Sequence, residues 1–248
     1  MYCPQLIRHT IRAGDTIYRL AGHYQTTVER IFAINPGVDP YNLQIGSQLI
    51  ICAGEGFQPP EPEPPGCPDP VLRQRLINNM RLAWSQHVYW TRMLLLSIAE
   101  RLKDLDPVTA RLLRNPVAIG TIFAEYYGPD AARTIANLLT AHLQIGAALI
   151  TALRDGNTAQ ADALNRQWYQ NADSMAAAFS ALNPYYDEQT LRNMLYTHLA
   201  LTTQEVAARL AGNYPADIQA FNAVEREALA MADVFSMGIM EQFPQKFR

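Results

Sequence analysis

Three histidines occupy matching places in the chain. His87 lies in Ala83-Trp84-Ser85-Gln86-His87-Val88, His142 in Leu138-Leu139-Thr140-Ala141-His142-Leu143, and His198 in Met194-Leu195-Tyr196-Thr197-His198-Leu199. Each follows an apolar pair by three positions and precedes an aliphatic residue, so on a helix each stands at the edge of the apolar face. The second and third copies then pass a turn (Gly156-Asn157, Gly212-Asn213) into segments carrying Ala172-Asp173 and Ala232-Asp233. Imidazoles and carboxylates projected from facing helices form a donor set that suits iron, manganese or zinc. His87, His142, His198, Asp173 and Asp233 are therefore candidate metal ligands. A structural reading competes with this one: each histidine is half-buried and hydrogen-bonded to an aspartate, tyrosine or tryptophan of the next helix, a contact that duplication copies as readily as a ligand. The Glu-x-x-His spacing of di-iron bundles is absent. The primary expectation is thus a bundle without a cofactor, and a transition metal such as Fe, Mn or Zn is the alternative.

The elements that would hold these residues are long helices. From Val71 onward the apolar residues recur at helical spacing with almost no strand signal. Breaks fall at Asp106-Pro107, Asn115-Pro116, Gly128-Pro129-Asp130, Asp155-Gly156-Asn157, Asn183-Pro184 and Gly212-Asn213. Short connections make neighbours antiparallel, so residues 71–248 are expected to form an up-and-down bundle of about six helices with an internal repeat. This region resembles no characterised family.

Other chemistries lack their residues. The bundle contains no cysteine, no Gly-rich phosphate loop and no serine elbow. Nothing in the spacing selects a pair of carboxylates for glycoside hydrolysis. A non-catalytic role is the expectation. Arg92, Arg111 and Arg114 lie near apolar runs and could pair with buried carboxylates.

The first 54 residues read differently. His9 to Ala13 is extended, Gly14-Asp15-Thr16 turns and caps a helix carrying Ile17, Leu20 and Ala21, and Thr26-Thr27 caps another carrying Val28, Ile31, Phe32 and Ile34. Asn35-Pro36-Gly37 ends that helix, and Gln48 to Cys52 is a second strand. The order strand, helix, helix, strand, with the motifs "AGDTIYRLA", "TTVERIFAINPG" and "LQIGSQLII", resembles the LysM module. That resemblance implies binding of N-acetylglucosamine polymers such as peptidoglycan or chitin. It also implies a groove between two loops, with Gly14, Asp15, Thr16 and Ile17 on one side and Asn42, Leu43, Gln44 and Ile45 on the other. Backbone amides and carbonyls would hold the acetamido group while aliphatic side chains cover the sugar face.

Cys3 precedes the first strand and Cys52 ends the second, so an antiparallel pairing would place them as neighbours able to form a disulfide. The alternative leaves all three cysteines, Cys67 included, reduced. Between the two regions, residues 55–70 form a linker. Seven prolines in GEGFQPPEPEPPGCPDP favour an extended spacer of roughly 40 Å.

Charge restricts partners. Residues 1–54 carry a net +1, residues 55–70 a net −4, and the remainder none, which gives the total of −3. With no basic stripe, nucleic acid and anionic membrane are not expected partners. No apolar run is expected to span a bilayer, and no secretory signal is read at Met1. The fold class is therefore mainly α: a small βααβ module (1–54), a Pro/Glu-rich linker (55–70) and a helical bundle (71–248). The expected protein binds peptidoglycan or a similar polymer at the bacterial cell envelope or spore coat. Its bundle serves as a scaffold for a protein partner or a homodimer.

Overall fold

The computed structural model describes residue 3 and residues 5–12, 15–39, 43–57 and 69–248. Gly14, Asn42, Cys67 and most of the proline-rich linker lie outside the described residues. The chain divides into two compact units, Met1–Pro64 and Pro65–Arg248.

In the first unit, β1 (Gln5–Thr10) and β2 (Gln48–Ala53) pair antiparallel in a register running from Gln5 opposite Ala53 to Thr10 opposite Gln48. Between them lie α1 (Ile17–His23) and α2 (Val28–Ile34). Thr16 and Thr27 start these helices, their hydroxyls accepting from the Arg19 and Arg30 amides at 3.2 and 3.3 Å. Ile11, Ile17, Leu20, Tyr24, Ile31, Leu49 and Ile51 form the core. Asn35 ties the end of α2 to β2: its Nδ2 donates to the Ile31 and Ile50 carbonyls, and its Oδ1 accepts from the Ile50 amide at 2.8 Å. A disulfide joins Cys3 to Cys52, with their Cα atoms 5.6 Å apart.

The second unit is helical: α3 (Pro70–Ala99), α4 (Leu105–Leu112), α5 (Asn115–Arg154), α6 (Thr158–Leu182), α7 (Glu188–Leu210) and α8 (Tyr214–Gln242), closed by a short 3-10 turn at Pro244–Phe247. Helix α5 is two limbs. Gly128 takes φ 83° and ψ 175°, a left-handed, non-helical conformation open to glycine, and Pro129 begins the second limb. The limbs fold back on each other, because a Cβ on Gly120 would lie 2.8 Å from the Ala132 carbonyl oxygen. With α5 counted as a hairpin, α3 packs on α5 and α8, α5 on α6, α6 on α7 and α7 on α8. The result is a closed ring of six long rods, with α4 beside α3.

Two apolar clusters fill the ring. The larger includes Trp84, Phe123, Phe179 and Phe235, with Phe179 and Phe235 ring centroids 4.5 Å apart. The smaller includes Leu94, Ile98, Leu112, Leu143, Ile150 and Val206. One expectation needs correction: the helical span Leu105–Arg154 is long and apolar enough by length and composition to cross a membrane. Its second limb is a core rod, burying Ile135, Leu139, Leu143, Leu149 and Ile150 within the bundle, which is why its sequence is so apolar.

Candidate metal centre and glycan-binding face

His87 on α3, His142 on the second limb of α5 and His198 on α7 meet inside the ring. Each is less than 5 % exposed. Their ring centroids form a nearly equilateral triangle of 6.2, 5.9 and 6.3 Å. One ligand nitrogen from each lies within 4.8 Å of the other two. The three residues hold matching positions in their sequence motifs, one on each of three helices.

The outward side of each imidazole is fixed in a repeated way. His87 Nδ1 lies 3.0 Å from Asn115 Oδ1, His142 Nδ1 lies 3.2 Å from Asn171 Oδ1, and His198 Nδ1 lies 3.0 Å from Glu227 Oε2. The partners follow their histidines by 28, 29 and 29 residues. Asn115 and Asn171 are themselves oriented, their Nδ2 atoms donating to the Ala83 and Leu138 carbonyls. An amide or carboxylate oxygen facing Nδ1 accepts a hydrogen bond from it, so each ring carries a proton on Nδ1 and Nε2 is the nitrogen left to serve as a ligand. Trp168 completes the wall, donating Nε1–H to the His142 carbonyl at 3.0 Å, with its ring centroid 5.2 Å from that of His142.

Electrostatics disfavour protonation of two of the rings, His87 and His142. Burial, followed by the charge of His198, depresses His87 to about 4, against a smaller opposing effect of the Asn115 hydrogen bond. Burial, followed by His87 and His198, holds His142 well below the ordinary histidine range. Three buried imidazoles with one nitrogen each brought this close form a donor set for a cation. Tetrahedral metal bonds of about 2.0–2.1 Å place ligand nitrogens about 3.3 Å apart, so small side-chain movements close the set. A three-imidazole set suits Zn, Fe(II), Cu or Ni better than Mn, which favours oxygen.

The two aspartates sit elsewhere. Asp173 accepts from Arg192 Nε at 3.0 Å and from the Tyr196 hydroxyl at 2.9 Å, and Asp233 forms a fork with Arg81. Asp173 is two positions beyond Asn171, about 200° around the helix, and so faces away from the imidazoles. Asn115, Asn171 and Glu227 went unread in the sequence. The signal that could have found them was the near-constant offset from each histidine.

In the first unit, Asp15 and Thr16 are occupied by the fold. Asp15 Oδ2 accepts from the Arg12 amide at 2.8 Å and contacts His9 Nε2 at 2.7 Å, while His9 Nδ1 meets the Tyr24 hydroxyl at 2.9 Å. Burial opposes ionisation of Asp15, but the His9 and Arg12 contacts outweigh it and lower its carboxyl below the usual range. Ile17 is in the core and Leu43 packs against it. The Gln44 carbonyl accepts from the Ser47 amide and hydroxyl, and Ile45 is 71 % exposed at the tip of that turn. Gly14 and Asn42 lie outside the described residues.

A strand pair closed by two capped helices defines a small βααβ module. Residues 9–51 match the LysM domain family, and the helical region matches no family. No curated protein and no solved structure matches the chain. The LysM domain supports binding to glycans that contain N-acetylglucosamine, such as peptidoglycan and chitin.

Proposed function

We propose that this chain is a glycan-tethered metal-binding protein. The LysM module holds it on peptidoglycan or a related polymer at the bacterial cell envelope or spore coat. The helical bundle carries one divalent transition metal on His87, His142 and His198. The observation that carries the second half is the convergence of three buried imidazoles, each oriented from behind by its own oxygen acceptor. A purely structural histidine needs one such partner; it gains nothing from aiming its other nitrogen at two more histidines. Asp173 and Asp233 are left out of the ligand set, because both are engaged with arginines.

The test is co-sedimentation of the metal-supplemented full chain with purified sacculi. Protein and metal should reach the pellet in equal amounts, and a His142→Ala, His198→Ala variant should bring down protein alone. Protein left in the supernatant would remove the glycan half of this reading. Metal-free parent protein in the pellet would remove the other.

A further inference from the structure

Beside the triad lies a cavity of about 20 Å³ lined by the three histidines, Thr91, Gly146, Trp168 and Thr202, with leucine and isoleucine side chains around them. Three of these residues, Thr91, Gly146 and Thr202, stand four positions after His87, His142 and His198 respectively. One turn on from each ligand, all three helices border the same space, so they run in the same direction through this layer. A space of that size accommodates about one water molecule.

The two threonines differ. Thr202 spends its hydroxyl on the His198 carbonyl at 2.8 Å, the ordinary bond for a helical threonine. The Thr91 hydroxyl oxygen is buried and has no hydrogen-bond partner among the described residues. The equivalent back-bond to His87 is not made. A buried hydroxyl without a partner is destabilising, and here its residue lines the water-sized space beside the triad. Gly146 keeps that space confined: a Cβ there would come within 3.2 Å of Trp168 Cζ2, so the indole closes over the position a side chain would take.

We propose that the metal held by the triad has an open fourth position, filled by one exchangeable water bound to Thr91, and that this position accepts only a slim ligand. The inference rests on the metal reading above. Three protein nitrogens leave a tetrahedral ion one vacancy, and among the described residues no other His, Cys, Asp or Glu joins the cluster. The ligand class is therefore a water, a hydroxide or a small anion bound through a single atom. A ring-sized ligand is excluded by the leucine, isoleucine and tryptophan walls.

The experiment uses the full chain loaded with cobalt(II) and followed by visible absorption. Fluoride, an anion the size of hydroxide, should shift the spectrum and saturate at one per cobalt, and imidazole at the same concentration should leave it unchanged. Thr91→Val should keep one cobalt per chain and bind fluoride roughly tenfold more weakly, having lost a charge-assisted hydrogen bond. Thr91→Ser should restore the affinity. A cobalt-loaded parent blind to fluoride would overturn the open position. Equal fluoride affinity in Thr91→Val would overturn the role of Thr91, and an imidazole response would overturn the size limit. Failure to bind cobalt at all would overturn the metal reading and this inference with it.

Discussion

His198 Nδ1 and Glu227 Oε2 lie 3.0 Å apart across α7 and α8, where the other two histidines face asparagine oxygens. Glu227 is thus a carboxylate hydrogen-bonded directly to the triad, and its other oxygen, Oε1, is buried without a partner among the described residues. A carboxylate behind a metal-bound imidazole raises its basicity and fixes its tautomer. Glu227→Gln should therefore weaken metal affinity about 10- to 100-fold while preserving the fold, as measured by competition with a calibrated chelator.

The histidines also set a pH dependence for the metal-free protein. His87 titrates at about 4 in the fold against 6.5 for an unperturbed histidine, and His142 is shifted the same way. Between those values the unfolded chain binds more protons than the folded one, so stability falls as pH drops from 6.5 towards 4. His87 alone contributes a loss of the order of 3 kcal/mol across that window. Urea midpoints recorded from pH 7.5 to 4 should fall accordingly. A His87→Gln, His142→Gln variant should show a flatter profile.

Beyond the triad layer, Arg92 holds two buried carboxylates. Its Nη1 donates to Glu205 at 2.6 Å and to Asp217, and its Nη2 donates to Asp217 at 2.9 Å. Burial raises the Glu205 carboxyl despite Arg92. Arg92→Leu would leave both acids without their main counter-charge and should lower stability by about 3–5 kcal/mol in chemical denaturation. Asp217, with no exposed surface, makes this network intolerant of partial removal.

The disulfide should dominate the stability of the first unit. Cys3 and Cys52 are 49 positions apart, and closing a loop of that length is worth about 4 kcal/mol in the chain-entropy account. Reduction, or Cys52→Ser, should lower the melting temperature of the glycan-binding unit and leave that of the bundle unchanged. Calorimetry with and without reductant checks both.

The parts legible in the sequence share a physical reason. Capping residues, helix-ending Asn-Pro and Gly-Asn pairs and apolar periodicity act locally, so Thr16, Thr27, Gly128 and the bundle rods were readable one segment at a time. The three histidines were readable as a repeat. Their partners were not, because choosing Asn171 over Asp173 requires knowing which side of α6 faces α5, a matter of helix rotation set by packing. The Ala-Asp pattern drew attention to surface carboxylates that bind arginines. Nothing in the sequence separates Thr91 from Thr202; helix packing leaves Thr202 bonded to the His198 carbonyl and the Thr91 hydroxyl without a partner among the described residues. In the first unit, Thr16 and Ile17 serve the cap and the core, roles that fold and ligand loops share.

The most direct test is elemental analysis of the full chain, purified without a histidine tag after growth with zinc and iron supplementation, alongside His87→Ala, His142→Ala and His198→Ala variants. The account predicts one metal ion per parent chain and a sharp loss in each single variant, since a site of three ligands does not survive on two. A folded parent that stays metal-free after supplementation and refuses added zinc, iron(II) or cobalt(II) would contradict it.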